Sequence, residues 1–226
     1  MSSETAELCF PALVIDGSSS FVFTGILGAD SEWLSLSEQV GAPLEELFHS
    51  VEKTLNAAQF ELSEIRSFVY CEGPGSVLGL RLCAMAIETW SRLHPDSAKF
   101  FSYNSLRLTA SALKLREPKL NHALIVSDWK KAAWNAIRIG SDPVGVSEVI
   151  DDSQVKQWDG TLYHLPQRKG WQAPPENAVT LRYDPSALCQ VHHETGLLQQ
   201  TEGILLYNSG VNTFQKWTPT RHRVTK

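Results

Sequence analysis

The chain has 226 residues, 42% apolar and 20% charged, values that exclude intrinsic disorder as its main state. A chain of this length forms a core without disulfides or metals, and no apolar run approaches the ~20 residues of a membrane helix. The net charge of −5 argues against autonomous nucleic-acid binding, which needs clustered cations.

Charge is unevenly spread. Residues 1–64 hold eleven acids and one base, Lys53, which suits either a basic partner or plain solubility. The one basic cluster, Arg221-His222-Arg223 with Lys226, reads as a solvated terminus. No basic stretch precedes an apolar one at the N-terminus, so no signal peptide is expected. Cys9, Cys71, Cys83 and Cys189 form no C-x-x-C pair and read as free thiols, which points to a reducing, cytoplasmic location.

Ala12 to Asp16 is a short apolar strand, Gly17 to Ser20 a turn, and Phe21 to Leu27 the return strand of a hairpin. Ser31–Ser37 reads as a third strand. Pro43 opens a helix on which Leu44, Leu47, Phe48, Val51, Leu55 and Ala58 recur at helical spacing. A strand over Ser67–Cys71, a helix over Leu78–Leu93 and a strand over Lys99–Tyr103 follow. Asn104 or Ser105 then caps a helix to about Leu115.

Beyond Pro118 the pattern begins again. His122–Asp128 is an apolar strand ending in Asp, Lys130-Lys131 a turn, Ala132–Ile139 the return strand and Val144–Ile150 a third. Residues 151–177, with Trp158, Trp171 and Pro174-Pro175, read as loops. A strand over Val179–Tyr183, a helix from Pro185 and a strand over Ile204–Tyr207 complete a shortened copy. Two β-β-β-α units imply a duplicated α/β fold of the actin/hexokinase/Hsp70 (ASKHA) class. The N-terminal lobe is expected over 1–117 and a smaller C-terminal lobe over 118–226.

The most specific stretch is Glu72-Gly73-Pro74-Gly75-Ser76-Val77-Leu78-Gly79-Leu80-Arg81, between a strand and a helix. Such a loop either cradles an anion on free N–H groups or makes a tight turn that needs glycine. Neither a P-loop nor a Rossmann fingerprint is present.

Gly73-Pro74-Gly75-Ser76-x-x-Gly79-Leu80-Arg81 resembles the GPGSFTGLRIG signature of the TsaB (YeaZ) family, glycoprotease-like ASKHA proteins. Val14 to Ser19 resembles that family's opening AIDTS. Leu44–Ala57 with Leu62–Ile65 resembles its first long helix and the segment after it, and Ser105-Leu106 its next helix start. Val126 to Lys131 resembles its DARRGE hairpin. The resemblance covers roughly residues 12–139. Val77-Leu78 replaces the family's Phe-Thr, and Ala133 and Asn135 replace a glutamate and a tyrosine, so the chain reads as a divergent member.

The resemblance implies a non-catalytic scaffold for the enzyme TsaD in threonylcarbamoyladenosine modification of tRNA. The ATPase TsaE would join the assembly and tRNA would be met only indirectly. Alone, the chain would form a homodimer. The alternative is a nucleotide-binding ASKHA enzyme or a glycoprotease-like hydrolase.

No catalytic residue, cofactor or metal site is expected. Asp16, Ser18 and Asp128 are candidates for vestigial phosphate turns, although bulky Trp129 follows Asp128. His192-His193 are adjacent and would point apart on a helix. Ser76 has no identifiable base. The helix from Leu80 is apolar nearly all round, so it is buried on both sides, by core alone or by core and a partner. The resemblance favours a partner, with Leu44, Leu47, Phe48, Val51, Leu55, Leu82, Met85, Ala86 and Trp90 in the interface.

Overall fold

The computed structural model describes residues 7–93, 98–140, 144–166 and 173–206. β1 (Ala12–Asp16), β2 (Phe21–Leu27) and β3 (Trp33–Val40) form an antiparallel meander. α1 (Pro43–Ala58) crosses over to β4 (Ser67–Gly73), which lies parallel to β1. α2 (Val77–Leu93) leads to β5 (Lys99–Asn104), parallel to β4, and α3 (Ser105–Arg116) follows. β1 and β4 are nearly continuous apolar runs because both faces of their sheet are covered.

The second half repeats this path. β6 (Ala123–Lys130), β7 (Ala133–Ile139) and β8 (Glu148–Asp151) are antiparallel, and after α4 (Asp152–Lys156) comes β9 (Thr161–His164), parallel to β6. β10 (Val179–Thr180) is parallel to β9. The second sheet runs β10-β9-β6-β7-β8, and the first contains the matching order β5-β4-β1-β2-β3. The fold is therefore the duplicated α/β fold that the sequence implies. α5 (Leu188–Val191) precedes β11 (Gln199–Thr201), which pairs with β5 and returns the chain to the first sheet.

Local chemistry explains most boundaries. Pro43 occupies the first turn of α1, and Glu45 and Glu46 complement the positive end of the helix. The Asn104 side chain accepts from the N–H groups of Leu106 and Arg107, fixing the start of α3. Asp151 and Gln154 form a reciprocal capping box on α4.

Differences from the sequence reading cluster late in the chain. β3 starts at Trp33 and runs to Val40, because pairing with β2 carries it past Ser37. The stretch read as loops contains α4 and β9, where neighbours supply the burial that a short segment cannot show by pattern. The expected strand over Val179–Tyr183 is only Val179–Thr180, and the expected helix from Pro185 is a single 3-10 turn running into the one-turn α5. Ile204–Leu206 is irregular; the strand lies earlier, at β11. Trp171, Tyr207 and the basic cluster at 221–226 lie outside the described residues.

Among the described residues three apolar clusters form the core. One unites inward-facing residues of both sheets, such as Val14, Phe101, Ile125 and Tyr163, around Leu106, Leu108 and Leu113 of α3. A second lies between the first sheet and α1 and α2, with Ile15, Phe68, Tyr70, Leu47 and Ile87. A third covers the outer face of the second sheet around Trp134.

A buried hydroxyl triad tethers α1 to this frame. Thr24 Oγ1 lies 2.7 Å from both Ser50 Oγ and Thr54 Oγ1, and donates to the Ser50 carbonyl at 3.1 Å. Thr24→Val removes the shared partner and leaves two buried hydroxyls to find others. It should cost about 1–2 kcal/mol in urea unfolding, and adding Ser50→Ala and Thr54→Val should restore part of that loss.

Candidate functional site

The Gly73–Ser76 loop holds the start of α2 against the β1–β2 turn. The Ser76 N–H donates to the Ser18 carbonyl at 2.7 Å, and Ser105 Oγ donates to the Pro74 carbonyl at 2.7 Å. A Cβ on Gly79 would stand 1.9 Å from the Gly17 carbonyl oxygen, and one on Gly75 would stand 2.5 Å from Ser18 Cβ. These glycines exist because two backbones touch there. Gly73, with φ 120°, carries the positive φ of the loop; Gly75 is fixed by close approach instead. Ser76 Oγ accepts from the Gly79 N–H at 3.4 Å, and Arg81 points from α2 into solvent.

Beneath this interlock sits Asp16, 1% exposed at the end of β1. Its Oδ2 accepts from Tyr103 Oη and Tyr183 Oη, each at 2.6 Å, and its Oδ1 accepts from the Ser18 N–H at 2.7 Å. Burial pushes both phenols well above their ordinary range, and the Asp16 charge pushes further in the same direction. Burial and then Asp16 likewise raise the Cys71 and Cys83 thiols. Both tyrosines therefore remain donors, and neither thiol is activated as a nucleophile. The turn that could wrap a phosphate has its carboxylate and the Ser18 carbonyl occupied by the chain itself. Tyr103 and Tyr183 carry no sequence signal that ties them to Asp16, since they lie 87 and 167 residues away.

The matching position in the second lobe differs. Asp128 lies within β6, which continues to Lys130, rather than at the strand end. Its Oδ2 is 3.9 Å from His164 Nε2, and its carbonyl accepts from Asn135 Nδ2 at 3.1 Å. His164 is buried against the Trp134 ring, edge to face at 5.8 Å. Burial lowers the His164 pKa, and the Asp128 charge only partly opposes this. Trp129 is half-buried, with Lys130 Nζ 4.0 Å from its ring centroid. Among the described residues no group of three or more His, Cys, Asp or Glu could hold a metal ion. The His192 and His193 rings meet edge to face at 5.7 Å.

The helix pair α1 and α2 separates the proposed contact residues into three sets. Leu47, Val51 and Ala86 are buried in the core of the first lobe and offer no surface, a correction to the wider stripe. Leu55, Leu82 and Trp90 are half-buried and pack against that core. Leu44, Phe48 and Met85 are exposed, Met85 at 63%, and Val77, Leu78 and Leu93 are exposed with them. Phe48 and Trp90 meet edge to face at 5.9 Å and join the two helices. Met85, Glu88, Thr89, Arg92 and Leu93 line an open groove of about 400 Å³. The helical stripe was visible in the sequence, but which side faced the sheet was not.

Gly79→Ala should destabilise the chain by about 3 kcal/mol or more in chemical denaturation, because the clash is with backbone. Gly140→Ala, with open space around it, should change stability by a few tenths at most. The buried His164 should make stability depend on pH. Its folded pKa lies below the unfolded value of about 6.5, so its contribution is full above that value and is lost as the pH falls toward the folded pKa. Unfolding curves from pH 8 to 5 should show this loss, and His164→Gln should flatten it.

No protein-family model and no curated protein matches the sequence. Solved structures do match. YeaZ from Pseudomonas aeruginosa superposes with a TM-score of 0.60 at 16% identity, over 80% of this chain and 89% of that one. An uncharacterised protein with similarity to peptidase YeaZ from Pseudomonas aeruginosa gives 0.59 at 15% identity, over 87% and 98%. Among the described residues no helix is long and apolar enough to cross a membrane. The chain has the duplicated α/β fold of YeaZ.

Proposed function

We propose that the protein is a non-catalytic TsaB-like scaffold that binds a TsaD-like catalytic subunit through the outer faces of α1 and α2, in threonylcarbamoyladenosine modification of tRNA. The observation that carries this reading is the exposed apolar face of Leu44, Phe48, Leu78 and Met85 on a YeaZ-like fold. Large apolar side chains held in water on two adjacent helices are suited to an interface. The self-occupied turn around Asp16 supports a role without chemistry of its own. A TsaE-like ATPase would join through the assembly, and tRNA would be contacted by the partner. The free chain would cover the same face with a second copy. We place it in the cytoplasm, where that modification takes place.

Glu45 and Glu46 on α1 give the face an acidic border, which favours a partner with basic residues there and raises the association rate more than the affinity. Co-purification with TsaD from the same cell tests the assignment. Met85→Glu should leave the isolated chain folded, because this side chain already faces water, and should lower affinity for TsaD by at least a hundredfold in calorimetry. A folded variant that binds with unchanged affinity would place the interface elsewhere.

A further inference from the structure

We propose that residues 181–186 form an intramolecular plug that locks the two lobes together over Asp16. The segment starts on the second sheet, where the Leu181 N–H donates to the His164 carbonyl at 2.8 Å. It then crosses to the first lobe, where four of its residues are held. Arg182 Nη2 pairs with Glu38 Oε2 of β3 at 3.2 Å. Tyr183 Oη donates to Asp16 at 2.6 Å. Asp184 Oδ2 lies 3.7 Å from Arg116 of α3, and the Ser186 carbonyl accepts from Trp33 Nε1 at 2.9 Å.

These links differ in kind. The Arg182 and Arg116 side chains are mostly exposed, so their ion pairs hold the segment only weakly. Trp33 Nε1 reaches a neutral carbonyl at a half-buried position. Tyr183 alone places a buried hydroxyl on a buried carboxylate, where a charge-assisted bond is strongest. Carboxyl ends of sheet strands near a lobe junction are where open α/β sheets receive ligands. Here that place is taken by the segment, and an incoming group would have to displace Tyr183 to reach Asp16. Tyr103 also reaches Asp16, but from β5 of the same lobe, so its bond does not join the lobes.

This difference supplies the test. Arg182 is exposed, so trypsin reports release of the segment by cutting after it under native conditions. In the full chain, Tyr183→Phe should raise that cleavage rate at least tenfold. Tyr103→Phe, which removes an equivalent hydroxyl from Asp16, should raise it far less at a comparable loss of melting temperature. Unchanged cleavage in Tyr183→Phe overturns the proposal, as does an equal rise in both variants, which would report general destabilisation. Should Tyr183→Phe fail to fold, Trp33→Phe removes the indole N–H that donates to Ser186, together with part of the ring that packs on Phe23. It should give a smaller rise at the same site, and no rise there overturns the proposal.

Discussion

A carboxylate without water decides the centre of this molecule. Asp16 ends a fully buried strand, where its charge has no solvent and must be met by donors. Three donors meet it: a backbone N–H from its own turn, a phenol from β5 and a phenol from the segment after β10. Those three come from separate stretches of chain, so satisfying one charge fixes a hairpin, a parallel strand and a long-range connection together. The close contact of Gly17 with Gly79 adds α2 to the same point. Burial of this kind gives specificity of arrangement more surely than it gives net stability.

The duplication makes this solution visible by contrast. β1 and β6 occupy the same place in sheets of the same order, and each carries an aspartate near its end. In the first lobe the aspartate meets two phenols and a turn. In the second it shares its surroundings with His164 and Trp134, and among the described residues no helix start comparable to that of α2 packs on its turn. The second crossover holds only the five-residue α4, where the first has the sixteen residues of α1. With less helix to cover it, the second sheet seals its outer face around Trp134 and Ile150.

Sequence patterns located the elements long enough for burial to impose a visible period. β1, β2, α1, β4, α2, β5 and α3 all fall where apolar spacing and the residues at Pro43 and Asn104 put them. They failed where elements are shorter than about five residues, because so few positions cannot show a period and the burial comes from partners far along the chain. β9 is such a case: Thr161 to His164 becomes a strand by pairing with β6. α4 was legible in principle, since Asp151-x-x-Gln154 is a capping signature. The GPGS loop was found as a motif, but its work as a spacer between backbones depends on distances to Gly17 and Ser18 that no sequence displays. The donors on Asp16 are invisible for the same reason.

The division of α2 into two faces carries the functional argument furthest. Leu80, Cys83 and Ile87 recur at steps of three and four and are buried against the first sheet. Leu78 and Met85 are each displaced by two residues from a member of that stripe, which on a helix is about 200° and hence the opposite side. Fold stability accounts for the first stripe alone. The second does nothing for the isolated chain, and leucine and methionine in water are a liability for solubility. α1 shows the same split between buried Leu47 and Val51 and exposed Leu44 and Phe48. Two neighbouring helices that each carry exposed apolar side chains beside a buried stripe, joined by Phe48 and Trp90, present the surface on which the proposed interface rests.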